Sequence, residues 1–228
     1  LHPSGVIISS RGCPYHCTFC SRNYPYYRSR SAEKVVDEME VYRDMGYRSV
    51  TFYDETFNVS RRRVLEICRL LKERALHLSW SFRGRVDRLD EEMVRAMAEA
   101  GCVRAHFGVE SGTQEMLDKT RKDTTIEEIR AAFSLCRAYG IGTVAFFMLG
   151  LPGETCEQAR ATIDFALELD PEYVLFTSLM PQPGSTIYEE AVATNAFPDY
   201  FRAYARDPVP DFSFRTWETG MSEDEVFR

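Results

Sequence analysis

Two rhythms of apolar spacing alternate along the chain. Short runs rich in β-branched and aromatic residues read as strands: Val6–Ser9, Val50–Tyr53, Leu78–Phe82, Ala105–Val109, Thr143–Leu149 and Tyr173–Leu179. Between them the apolar residues fall at helical spacing, with start and stop signals around them. Ser31 precedes Val35, Met39 and Tyr42, and Gly46 closes that helix; Asp90 precedes Met93 and Met97, and Gly101 closes the next. Thr125-x-x-Glu128 and Thr155-x-x-Gln158 are capping boxes that open two more.

Strand and helix in regular alternation predict an α/β fold with a parallel sheet. Gly46, Gly101 and Gly140 each end a helix, and Phe52, Phe107 and Phe146 follow them at the same interval inside a strand. A unit repeated in this way cannot bury its own faces, so the units close around a common core. The expected architecture is a partial (β/α)6 TIM-type barrel, open on one side. A doubly wound sheet is the main alternative, because its local signals are nearly the same.

The chain of 228 residues is the size of a single domain. The barrel core is assigned to residues 1–194 and a C-terminal extension to residues 195–228. The extension carries Phe197, Tyr200, Phe201, Tyr204, Phe212, Phe214 and Trp217. It is either a lid over the opening or, the favoured reading, a segment packing its aromatics on the side of the barrel. Ser222-Glu223-Asp224-Glu225 should open a helix with little chain left to form it, so a fragment of a longer protein is expected.

Composition narrows the function. Lys plus Arg number 28 and Asp plus Glu 35, a net charge of −7 that disfavours nucleic acid as a partner. The run Arg61-Arg62-Arg63 reads as a solvated helix start. No apolar run is long enough to span a bilayer and the N-terminus has no signal-peptide character, which predicts a cytoplasmic protein. Of the seven cysteines, Cys68, Cys102, Cys136 and Cys156 are spaced as small buried hydrophobes. The other three, Cys13, Cys17 and Cys20, lie together in a loop directly after the first strand. Three thiolates on a cube of four irons would leave one iron open to a chelating small molecule. A structural zinc would want a fourth ligand, and His16 sits between the cysteines where reaching the same ion would strain the loop.

Cys13-x-x-x-Cys17-x-x-Cys20, with Phe19 just before the last cysteine, resembles the signature of the radical S-adenosylmethionine superfamily. The resemblance implies that Cys13, Cys17 and Cys20 hold a 4Fe-4S cluster whose fourth iron is chelated by S-adenosylmethionine. One electron then cleaves the sulfonium bond to a 5′-deoxyadenosyl radical, and Phe19 lies against the adenine. At the second strand end the family's Gly-Gly-Glu is replaced by Tyr53-Asp54-Glu55-Thr56-Phe57, so Asp54 or Glu55 is the candidate contact to the methionyl amine. Helix capping or loop solvation is the equally weighted alternative for this pair. Gly108-Val109-Glu110-Ser111-Gly112 is similar to the ribose-binding segment, with Glu110 and Ser111 as candidates. The bland role for Glu110 is a salt bridge to Arg83 or Arg85, which could themselves meet a carboxylate or phosphate. Leu149-Gly150-Leu151-Pro152-Gly153-Glu154 resembles the adenine-side turn, with Gly150 allowing close backbone approach.

Taken together the segments resemble the branch that joins a cobalamin-binding domain to the radical core, which includes C-methyltransferases and the anaerobic magnesium-protoporphyrin ester cyclase. Cobalamin is thus expected only through a domain absent from this chain. The implied activity is C–H functionalisation of a small molecule, such as C-methylation or oxidative cyclisation. Flavodoxin or ferredoxin is the implied reductant, and the enzyme is expected to be oxygen-sensitive. A methylthiotransferase or tRNA-modifying member is the runner-up. A non-catalytic iron-sulfur carrier is the alternative of another class; it would require a fourth cysteine, Cys102 or Cys156, near the cluster.

Overall fold

The computed structural model describes residues 3–21, 26–196, 199–208, 220–222 and 225. The elements run β1 (Ser4–Ile7), β2 (Ser10–Arg11), β3 (Arg28–Ser29), α1 (Ala32–Asp44), β4 (Ser49–Phe52), α2 (Arg61–Glu73), β5 (Ser79–Gly84) and α3 (Glu91–Glu99). They continue with β6 (Cys102–Glu110), α4 (Gln114–Lys119), α5 (Ile126–Ala138), β7 (Gly142–Leu149), α6 (Cys156–Leu169), β8 (Tyr173–Ser178), α7 (Thr186–Ala193) and α8 (Tyr200–Arg206). All six expected strands form, each within a few residues of its expected bounds. The anticipated caps are also in place, including both bonds of the boxes at Thr125 and Thr155.

The main sheet is parallel throughout, in the order β1-β4-β5-β6-β7-β8. The crossover helices between successive strands pack on one face, α1 on α2, α2 on α3 and α3 on α5, with α5 and α6 against β7. A doubly wound sheet would reverse direction at a switch point, and no reversal occurs here. Among the described residues β1 and β8 pair on one side only, so the barrel they form is incomplete.

The core fills the space between sheet and helices. Phe52, Phe57, Trp80 and Phe82 pack with ring centroids 4.5 to 6.1 Å apart, and the Trp80 indole N–H donates to the Ala100 carbonyl at 2.8 Å. Met39, Ile67, Met97 and Phe133 close over them from the helices. Phe52 and Phe107 of the repeated unit belong to this layer, but Phe146 does not. In β7 the core place is taken by Phe147, and Phe146 faces the other side of the sheet, which is the barrel lumen. That inner face stays open: Val6, Ile8, Tyr53, Tyr173 and Leu175 are all substantially exposed on it.

Of the extension, Tyr200 and Phe201 pack against Tyr188 and Ala191 of α7, and Tyr188 Oη donates to Asp199 at 2.5 Å. Both reciprocal bonds of the box at Ser222 and Glu225 are present. Phe197, Phe212, Phe214, Trp217, Glu223 and Asp224 lie outside the described residues.

Candidate active site

The loop that carries the cysteines leaves β1 at Ser9 and Ser10, and both are fixed by one buried carboxylate. Asp54, 1% exposed, accepts the Ser9 N–H at 2.6 Å and the Ser10 N–H at 3.1 Å on Oδ1, and the two serine hydroxyls at 2.5 and 2.8 Å on Oδ2. Arg63 locks the same point by donating to the Ser9 carbonyl at 3.0 Å and to its hydroxyl at 2.5 Å. Arg63 is therefore buried, at 8% exposure, and the run Arg61-Arg62-Arg63 is not a wholly solvated helix start. Arg63 faces inward because α2 lies along the sheet with Val64, Ile67 and Cys68 buried on the same side.

Further along, the loop is tied across the barrel mouth. Gly12 adopts φ +80°, the left-handed region where glycine costs least. Tyr15 is covered by the Arg85 guanidinium 3.8 Å from its ring centre. Thr18 donates its N–H to the Thr120 carbonyl at 2.9 Å and accepts the Ile187 N–H at 3.0 Å, which joins the loop to α4 and α7. Two-residue strands β2 and β3 pair antiparallel behind it.

Cys13, Cys17 and Cys20 thereby line one cavity of about 330 Å³. Its other walls come from Tyr15, Phe19, Glu55, Arg85, Glu110 and Lys122, and its floor from Arg83, His106 and Phe146 on the strands. Cys13 Sγ lies 3.4 Å from Thr56 Oγ1. Burial pushes the Cys17 thiol up and the Cys20 thiol up to about 11, so without a metal both stay protonated at neutral pH. His16 is exposed and does not line the cavity. Among the described residues, no three histidine, cysteine or carboxylate side chains converge as ligands of one metal ion.

The remaining sequence candidates separate by location. Of the neighbours Asp54 and Glu55, only Glu55 lines the cavity, because Asp54 is turned back onto the loop's root. Glu110 closes β6 with φ +71°, at a register irregularity in its pairing with β7. Its partner is Lys122, with Nζ 2.8 Å from Oε1 and both side chains nearly buried, rather than Arg83 or Arg85. A Cβ at Gly108 would overlap Glu110 Oε1, so a larger residue there would have to displace the carboxylate that folds over the strand. Ser111 is fully buried and hydrogen-bonds to Thr113 within its own bend and to Thr162 of α6. Gly150 (φ +76°) donates its N–H to Glu154 Oε2 at 2.7 Å, so the turn is closed by its own glutamate; neither Gly150 nor Ser111 lines the cavity.

Lys122 is a wall residue that sequence reasoning missed, since only the return of the chain after α4 brings it to Glu110. Arg85 is held by Asp87 at 2.8 Å and by the carbonyls of Lys122 and Asp123. Cys68, Cys102 and Cys136 are buried as expected, and Cys156 is half-buried at the start of α6. Cys102 begins β6, at the opposite end of that strand from the cavity, and neither it nor Cys156 lines the site.

The family model that matches is the Radical SAM superfamily, over residues 7–166. An uncharacterized methyltransferase of Pyrococcus horikoshii is 34% identical over 197 residues, covering 85% of this chain and 43% of that protein. The anaerobic magnesium-protoporphyrin IX monomethyl ester cyclase of Rubrivivax gelatinosus is 34% identical over 188 residues, covering 79% of this chain and 34% of its own length. Among solved structures, the radical S-adenosylmethionine methyltransferase TsrM of Kitasatospora setae, with cobalamin and a 4Fe-4S cluster bound, superposes with a TM-score of 0.79. It shares 27% identity over 86% of this chain and 40% of that one. The chain thus spans less than half the length of these relatives.

Proposed function

Because the chain belongs to the radical S-adenosylmethionine superfamily, we propose that it is the catalytic core of an enzyme that functionalises a C–H bond of a small molecule, by C-methylation or oxidative cyclisation. The observation that carries this reading is the donor set: three cysteine thiols line one cavity, and among the described residues no fourth cysteine does. Three cysteines lining one cavity suit a cluster in which each of three irons takes one cysteine. When bound, the cluster with S-adenosylmethionine supplies one-electron cleavage of the sulfonium carbon–sulfur bond, and the product takes hydrogen from the substrate.

Cys13, Cys17 and Cys20 would hold the cluster. Phe19 offers an apolar face to the adenine, and Glu55 a free carboxylate to the methionyl amine. Glu110 is fixed by Lys122 through Oε1 and presents the rest of its carboxylate to the ribose hydroxyls. Asp54, Ser111 and Gly150 act one step back: Asp54 fixes the loop root, Ser111 the bend after β6, and Gly150 the turn after β7. Residues 1–194 form the core and residues 195–228 the extension. Cobalamin, which the Kitasatospora relative carries, would be held by chain outside these residues. A cytoplasmic location fits the free thiols. Among the described residues no helix is long and apolar enough to cross a membrane. A flavodoxin or ferredoxin would deliver the electron.

The test is anaerobic iron-sulfur reconstitution, followed by iron quantification and electron paramagnetic resonance with and without S-adenosylmethionine. A dithionite-driven assay for 5′-deoxyadenosine completes it. The expected result is a spectrum perturbed by S-adenosylmethionine, with iron and product both lost in Cys17→Ala. An intact reduced cluster that ignores S-adenosylmethionine would sink the reading in favour of an electron carrier.

A further inference from the structure

The cations around the cavity differ in how they are used. Lys122 is paired with Glu110, and Arg85 with Asp87 and two carbonyls. Arg83, which lines the floor from β5, is different. Its guanidinium lies 3.7 Å from the centre of the Tyr53 ring, and among the described residues it has neither a carboxylate nor a hydrogen-bonded partner. Stacking on an aromatic face uses the plane of the guanidinium and leaves its forked N–H edge free. A half-buried arginine with an unused fork is a bidentate receptor for a planar oxyanion.

The neighbours of Arg83 say what else the ligand presents. His106 pairs with Arg83 in register across β5 and β6, and its ring stacks on Phe146 at 6.3 Å and 26°. Burial, and then the charges of Arg83 and Arg104, push the His106 pKa down, so the ring is neutral at pH 7. The floor is therefore one cation beside a flat, uncharged aromatic surface. Along the strands, Arg83 comes two residues before Arg85 and His106 four before Glu110, toward the N-terminal ends of β5 and β6. Arg83 and His106 share the cavity with Phe19, Glu55 and Glu110 but sit at earlier strand positions than Arg85 and Glu110.

We propose that Arg83 is the substrate-recognition residue of this cavity, and that the substrate is a carboxylate on an apolar, planar body that lies against His106 and Phe146. This rests on reading the cavity as the active site. Two carboxylates could claim Arg83, the substrate's and the methionyl carboxylate of S-adenosylmethionine, and the test separates them. Benzoate, benzamide and phenyl phosphate are titrated into the reconstituted protein by ligand-observed NMR, while S-adenosylmethionine affinity is measured by equilibrium dialysis. Wild type, Arg83→Gln and Arg83→Lys are compared.

Benzoate is expected to bind wild type and to weaken at least about tenfold in Arg83→Gln, with partial recovery in Arg83→Lys. Benzamide should bind weakly to all three. S-adenosylmethionine affinity should stay within about twofold across the set. Equal benzoate binding by all three proteins, no binding by wild type, or a preference for phenyl phosphate each overturns the proposal. So does a loss of S-adenosylmethionine affinity in Arg83→Gln, which would assign the arginine to the cofactor. If wild type binds no S-adenosylmethionine, the functional reading fails while the benzoate arm still reports on Arg83.

Discussion

Asp54 and Glu55 stand side by side at the end of β4, yet only one reaches the cavity. Both follow β4 in the loop after Phe52, where Glu55 enters a bend, and their carboxylates part. The sequence places both at the right strand end but carries no sign of which faces in. That depends on Ser9 and Ser10, which lie 44 to 45 residues earlier. Replacing Asp54 by Ala leaves two backbone N–H groups without an acceptor. We expect about 2–4 kcal/mol lower stability of the apo protein in urea and poorer iron uptake on reconstitution. An unchanged urea midpoint would show that the loop root is held otherwise. The Glu110 pairing was hidden for a similar reason. Arg83 and Arg85 were the cations visible near a strand end, whereas Lys122 arrives through tertiary structure alone. Glu154 gives a pH prediction. Its carboxyl is fully buried, Oε1 has no hydrogen-bond partner among the described residues, and burial raises its pKa above the ordinary glutamate range. A pKa raised on folding means stability that is complete below the unfolded-state value and declines as pH rises through the folded one. Urea midpoints measured across that range should fall less with pH in Glu154→Gln than in wild type. Parallel pH profiles would refute this.

The elements were the most legible level, because strand runs, caps and helix-ending glycines are all local. Ser31, Ser60, Asp90, Thr125, Thr155 and Ser185 each accept the N–H three residues on, as capping requires. The hairpin of β2 and β3 escaped notice because two-residue strands have no periodicity to read. The apparent Phe repeat was legible but misleading in one unit. β7 carries Phe146 and Phe147 in succession, and sequence spacing cannot say which of two adjacent aromatics faces the helices. Gly101 offers the sharpest test at this scale. It has φ +90°, and a Cβ there would lie 2.6 Å from the Leu78 carbonyl oxygen. Gly101→Ala should lower stability by on the order of 1–3 kcal/mol, while Gly140→Ala meets no atom within 4 Å and bears only the conformational cost. Equal urea midpoints for the two variants would count against the close approach at Gly101.

At the scale of the molecule, alternation of strand and helix was enough for the class of fold but not for the choice between barrel and doubly wound sheet. That choice lies in strand order, a long-range property that no local signal encodes. Helices gathered on one face leave the other as a lumen, and this is why the cysteine loop, the Glu110–Lys122 pair and Arg83 meet in one place. The unpaired margins at β1 and β8 have a mechanical meaning. A closed barrel is a hoop, with a circumference fixed by its strands and stagger. An arc with two loose ends behaves as a leaf spring: small changes of twist between neighbouring strands add up along it and alter its bore, with every rung of hydrogen bonds intact. The bore of such an arc is set by strand twist rather than by closure, while the thiols are rooted near one end of it through Ser9 and Ser10.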